Sequence, residues 1–124
     1  MYKPFIQPPA LVRQLYPNRL WRMNPLEQSV YLTFDDGPHP EITPFVLEQL
    51  SRAGAKATFF CIGSRVAAYP QVYQQIIEQG HRVGNHTHQH LHAWRTNQAD
   101  YLKDVAAAAE RARGRAGAGA SGDR

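Results

Sequence analysis

Apolar residues in this chain fall into two rhythms that take turns along the sequence. Val30-Tyr31-Leu32-Thr33-Phe34 is a continuous β-branched and aromatic run, and Ala57 to Ile62 has the same character. With the shorter Arg82 to Asn85, these runs predict strands over Ser29–Phe34, Ala57–Ile62 and Arg82–Asn85, the first apolar enough to be buried in a parallel sheet. Between the strands the period changes. Glu41 to Ala53 spaces Phe45, Val46, Leu47 and Leu50 as a helix does, and Gly54 stops it. Ser64 is placed to cap a second helix carrying Val66, Val72, Ile76 and Ile77, with Pro70 breaking its first part and Gly80 ending it. A third helix begins after Thr96 and runs through Tyr101, Leu102 and Val105 into a run of alanines, where it lacks an apolar face to bury. Strands alternating with helices predict an α/β fold around a parallel sheet.

The two ends differ from this middle. Residues 1–28 form a Pro-rich basic leader, in which Pro4, Pro8, Pro9, Pro17 and Pro25 interrupt apolar residues such as Leu11, Leu15, Leu20 and Trp21. The leader has no apolar core of about 7 to 15 residues such as a secretory signal needs, and no apolar span of about 20 residues for a membrane helix. Its Leu11 to Trp21 stretch suits packing against the rest of the fold better than peripheral contact with a membrane. Residues 106–124 are a low-complexity Ala/Gly/Arg tail and read as disordered, because such residues have little to bury. The net charge of +4 comes from these ends, since Ser29 to Val105 holds six Lys and Arg against seven Asp and Glu. A nucleic-acid partner would want a basic face within the fold, which the middle does not supply. Cys61 stands alone, so no internal disulfide forms, and in an apolar strand it reads as a small buried hydrophobe.

Two short segments carry the candidate chemistry. Asp35-Asp36-Gly37-Pro38 taken alone is a turn, because Asp-Gly and Gly-Pro are turn dipeptides. Its place at the end of an apolar strand changes that reading, since open α/β sheets and β/α barrels gather reactive side chains at the C-terminal ends of their strands. Two adjacent carboxylates also repel each other unless a cation compensates. His86, His88, His90 and His92 alternate, so a strand would put all four on one face, whereas a helical turn would pair His86 with His90. One carboxylate with His86 and His90 makes three ligands for a metal with an open position, and the other carboxylate is left to act as a base. His39, His81, His88 and His92 read as surface or supporting residues.

Thr33-Phe34-Asp35-Asp36-Gly37-Pro38 and His86-Thr87-His88-Gln89-His90 resemble the first two motifs of the polysaccharide deacetylase family, the carbohydrate esterases with a NodB homology domain. The likeness continues through Ala55 to Gly63 and Gly80 to His86, and it covers the stretch from Ser29 to Asp104. It implies a partial (β/α) barrel, with residues 29–105 as the N-terminal part of the deacetylase domain. It also implies that Asp35 is the general base and that Asp36, His86 and His90 bind a divalent metal, usually zinc and sometimes cobalt. The implied substrate is an acetylated glycan. Water whose pKa the metal lowers from about 15.7 toward about 7 would lose its proton to Asp35 and attack the acetamide carbonyl of an N-acetylated sugar.

The chain departs from the family after Val105. In relatives a late histidine protonates the leaving amine, and an Arg-Pro-Pro-Tyr-type segment and a Trp-bearing segment come before it; none of the three is in this sequence. A full β/α barrel takes about 250 residues, against 124 here. The sequence therefore reads as a truncated or frame-shifted piece of roughly three βα units, with a natural flexible tail as the other reading. Two functional classes follow: a metal-dependent N-deacetylase, and a non-catalytic metal- or glycan-binding remnant of its fold. A structural domain whose aspartates and histidines only satisfy turns ranks below both. The setting implied is bacterial, cytoplasmic or peripheral to a membrane.

Overall fold

The computed structural model describes residues 9–21 and 28–116; residues 1–8 and 22–27 of the leader and 117–124 of the tail lie outside the described residues. The chain divides into two units, Met1–Val30 and Tyr31–Arg124. In the first, α1 (Ala10–Leu15) starts directly after Pro9, whose carbonyl accepts from the N–H groups of Val12 and Arg13 at 3.0 and 3.3 Å. Proline suits that edge of a helix because it has no N–H to leave unpaired. The Trp21 indole N–H donates to the Tyr16 carbonyl at 3.0 Å. No described helix is long and apolar enough to cross a membrane.

The second unit is built on a three-stranded parallel sheet in the order β1 (Leu32–Gly37), β2 (Ala57–Cys61), β3 (Arg82–Asn85). Helix α2 (Ile42–Arg52) joins β1 to β2, and α3 (Gly63–Ala68) with α4 (Pro70–Glu78) joins β2 to β3. The second helix read from the sequence is thus two, with Pro70 opening α4 at a position where its missing N–H costs nothing. Ser64 does not cap it: Ile62 is the flanking residue, and no side chain bonds the helix start. Helices α2 and α4 both end on glycines with left-handed backbone, Gly54 at φ 59° and Gly80 at φ 74°. At each, the glycine N–H and the next one reach back to the last turn, Gly54 to Ser51 and Ala55 to Leu50, Gly80 to Ile77 and His81 to Ile76.

Strand β1 sits further along the chain than its apolar run predicts. Asp35 and Gly37 stay paired with Phe60 and Cys61, and the register shifts between them, so Asp36 is a bulge inside the strand and the turn comes later. The start of the run is not buried either: Val30 is 84 % and Leu32 40 % exposed. Among the described residues β1 pairs only with β2, so burial on both sides falls to the central strand. In β2, Ala57, Phe59 and Cys61 face a core with Leu47, Leu50, Val66, Tyr73 and Ile76. Tyr73 at 1 % and Ile76 at 0 % exposure are at its centre. A fully buried side chain of this size stabilises by about 1.5–3 kcal/mol.

The alanine run corrects the reading of the tail. Helix α5 spans Gln98–Ala116 without interruption, so residues 106–116 are helical. Asn97 opens it, accepting from the Asp100 N–H at 2.9 Å while its amide donates to the Asp100 carboxylate. Helix α5 packs against α3, α4 and β3, with Ala108 only 4 % exposed and Ala112 against the core. The small side chains are what allow this. A Cβ on Gly63 would lie 2.8 Å from the Ala108 Cα, so helix α3 and helix α5 touch nearly backbone to backbone.

Candidate metal centre

The C-terminal ends of β1 and β3 bring the candidate ligands together. Asp36 stands at φ 65°, a left-handed conformation that aspartate adopts more readily than most residues. The bulge turns its carboxylate toward the loop after β3. There, Oδ1 of Asp36 lies 3.2 Å from Nε2 of His86 and 3.1 Å from Nε2 of His90. The two imidazoles are tilted against each other with ring centres 5.1 Å apart. Among the described residues these three form the one cluster of His, Cys, Asp and Glu whose donor atoms all lie within 4.8 Å of one another.

The donor set fits a divalent ion. Bonds of about 2.0–2.2 Å in a tetrahedral shell put neighbouring donors about 3.3–3.6 Å apart, close to the separations seen. Asp36 and His90 are exposed and His86 is half-buried, so one side of the cluster is open to water. A cleft of about 450 Å³ adjoins it, lined by His86, His90, His92, Trp94 and Tyr101 among others. Asp35 is exposed, one residue before Asp36 and opposite Phe60, and it stands outside the cluster.

The loop carrying the histidines is held in an unusual backbone. Thr87 at φ 64° and His90 at φ 57° are both left-handed, and for a β-branched threonine that is an outlier. The Thr87 and His88 carbonyls accept from the N–H groups of Gly63 and Ser64 at 2.9 and 3.1 Å, closing two of the open donors at the start of α3. The His86 N–H donates to the Cys61 carbonyl at 3.1 Å. Asn85 works in both directions, accepting from the Thr87 N–H and donating to the Val105 carbonyl, each at 2.8 Å. Asp104 on α5 accepts from the N–H groups of His88 and Gln89 at 2.5 and 3.0 Å. Asn85 and Asp104 were not legible as site residues, because nothing local marks a helix residue as the partner of a loop 15 or 16 positions earlier.

The remaining histidines do other work. His39 accepts through Nδ1 from the N–H groups of Glu41 and Ile42, both at 3.2 Å, at the start of α2. His81 is buried and accepts from the Ala57 N–H at 3.2 Å; burial first, and then Lys56, lower its pKa. His88 turns Nδ1 inward, buried and without a hydrogen-bond partner, as is Thr87 Oγ1. His92 is exposed and sits edge-on to the His90 ring at 5.9 Å.

The model of the polysaccharide deacetylase family matches residues 22–118. The chain belongs to that family. It is 41 % identical over 85 residues to a peptidoglycan-N-acetylglucosamine deacetylase of Bacillus cereus, an alignment covering 68 % of this chain and 40 % of that enzyme. A chitooligosaccharide deacetylase of Azorhizobium caulinodans is 48 % identical over 69 residues, covering 56 % and 33 %. Among solved structures, the peptidoglycan deacetylase PdaC of Bacillus subtilis superposes with a TM-score of 0.71 at 34 % identity, over 77 % of this chain and 47 % of that one. A family 4 acetyl xylan esterase from Clostridium thermocellum, solved with a cobalt ion, superposes with a TM-score of 0.63 at 32 % identity, over 70 % and 43 %. The chain thus spans less than half the length of these family members, and its sheet and helices are part of their α/β barrel architecture.

Proposed function

We infer that this chain carries the metal-binding side of a centre that removes N-acetyl groups from a glycan. Asp36, His86 and His90 hold one divalent ion, and Asp35 is the general base. The observation that carries this reading is one carboxylate oxygen facing two imidazole nitrogens at 3.1 and 3.2 Å, at the C-terminal end of a parallel sheet. Two imidazoles and a carboxylate favour zinc over harder cations, with cobalt next. When bound, the ion supplies Lewis acidity, lowering the pKa of water and polarising an acyl oxygen.

The side chains do the rest. Asp36, His86 and His90 would hold the ion, and the exposure of Asp36 and His90 leaves the cluster reachable from solvent. Asp35, solvent-exposed and one residue before Asp36, would take the proton from attacking water. An N-acetylated amino sugar is the favoured substrate class, because relatives similar in sequence are named for peptidoglycan N-acetylglucosamine and chitooligosaccharides. Metal or glycan binding without turnover is the second reading, since Asp35 stands outside the ligand cluster.

Zinc titration with elemental analysis, together with turnover of N-acetylglucosamine oligomers, tests both. Wild type should bind one zinc and His86→Ala should lose it. Asp36→Asn should lose zinc, while Asp35→Asn should keep zinc and lose any turnover by about 10² to 10⁴-fold. Equal zinc in wild type and His86→Ala would refute the ligand set. Zinc without turnover in wild type would select the second reading.

A further inference from the structure

The segment that presents His86 and His90 to Asp36 holds two non-glycine residues, Thr87 and His90, in left-handed backbone. Left-handed backbone at such a residue is strained and persists only where its surroundings over-determine it. The ties from β2, α3 and Asn85 hold the first half of the loop, at His86, Thr87 and the His88 carbonyl. Its second half approaches His90 through the N–H groups of His88 and Gln89, and both of these end on one oxygen, Oδ2 of Asp104. One side-chain oxygen with two lone pairs can accept both amide donors at once. Asp104 is also well placed to be rigid, since the same turn of α5 receives the Asn85 amide on the Val105 carbonyl, and Ala108 one turn later is buried against α3.

We propose that Asp104 is a positioning residue of the metal centre, tying off the His88 and Gln89 amides so that both imidazoles are presented to one ion together with Asp36. The proposal rests on the metal reading above. It makes α5 part of the site, although no residue of that helix belongs to the ligand cluster. Without the carboxylate, two neighbouring N–H groups would be left to water, and the loop would relax out of its left-handed turns. The imidazoles would then have to be gathered at the moment the ion binds. Losing an outer partner of a metal ligand typically weakens metal affinity by about 10–100-fold.

The test uses the full chain, with zinc affinity measured by competition against a chromogenic chelator and thermal unfolding measured in parallel without metal. Asp104→Ala should bind zinc at least about 10-fold more weakly than wild type. Asp104→Asn should bind within about three-fold of wild type, because its amide oxygen can still accept both N–H bonds. A purely structural role would lower the metal-free unfolding temperature of Asp104→Ala and leave the zinc affinity of its folded fraction unchanged. Wild-type affinity in Asp104→Ala would overturn the proposal. So would equal losses in Ala and Asn, which would show that the charge matters and the anchoring does not. Should Asp104→Ala not fold, amide exchange in wild type still decides: His88 and Gln89 should exchange slowly, and exchange at the rate of an open loop would overturn the proposal. Failure of wild type itself to bind zinc would instead remove the metal reading, and this proposal with it.

Discussion

Gly63→Ala puts the contact between the histidine loop and α5 under direct load. By helix propensity alone, alanine at the first residue of α3 should be neutral or stabilising, by at most about 1 kcal/mol. The geometry gives the opposite sign. The added Cβ would stand 2.5 Å from His88 Nδ1, 2.8 Å from the Ala108 Cα and 3.1 Å from the Ala108 Cβ. The second of these is backbone, so relief requires moving α5 away from α3 or bending the start of α3 off the Thr87 and His88 carbonyls it now bonds. Overpacking of this kind costs about 1–3 kcal/mol; the middle of that range, about 2 kcal/mol, less a propensity gain of up to about 1 kcal/mol, leaves a net loss of about 1–2 kcal/mol. For a unit of this size that corresponds to a fall of roughly 4–16 °C in Tm, or about 0.5–1 M in the urea midpoint at an m value near 2 kcal/mol/M. Urea unfolding followed by far-UV circular dichroism reads it directly. A Gly63→Ala protein at least as stable as wild type would show that α3 and α5 are not in the close contact described, and the argument from the glycine would fall.

Three further outcomes follow from the same packing. Ala108→Glu should destabilise by more than about 3 kcal/mol, because it places an unpaired charge in the α5–α3 contact, while Ala106→Glu on the exposed face should change stability by under about 0.5 kcal/mol; similar urea midpoints for the two would mean that the alanine run buries no face. His81 is held below its usual pKa of 6.5 in the fold by burial and by Lys56, so the unfolded chain binds more protons in the window below 6.5, and stability present above that pH is lost as the pH falls toward the folded value. His81→Gln should flatten the dependence of unfolding free energy on pH between about 7 and 5, and an unchanged slope would assign that dependence to other groups. Cys61, whose thiol burial pushes up to about 12, should resist iodoacetamide at neutral pH in the folded chain and react readily in urea; equal rates in both would contradict its place in the core.

The strand–helix order was legible because each element announces itself locally. An apolar run marked β2, the short segment after the Gly80 stop marked β3, helical spacing and glycine stops marked α2 and α4, and Pro70 marked the division between α3 and α4. Misplacement came where a neighbour decides. The Asp35–Gly37 segment looked like a turn on dipeptide chemistry, yet its ladder with Phe60 and Cys61 keeps it in the strand around a bulge. The run before it looked like a buried strand, yet Leu32 at the start of β1, which among the described residues pairs with β2 alone, is exposed, as is Val30 before the strand.

Residue types and spacing by themselves determined that this chain has an α/β core and that a carboxylate and two histidines four apart form its candidate ligand set. Those signals depend on contacts within a turn or along one strand. Which carboxylate meets the imidazoles was decided in three dimensions, by the bulge that sets Asp36 at φ 65° and turns its oxygen toward His86 and His90. Tertiary structure likewise turned a low-complexity alanine run into a packing face, because small side chains bury well only where a glycine on the opposite helix lets the backbones close. It also made Asp104 the anchor of a loop 15 and 16 residues away, since a carboxylate finds amide donors by distance in the folded chain and carries no mark of them in its own neighbourhood.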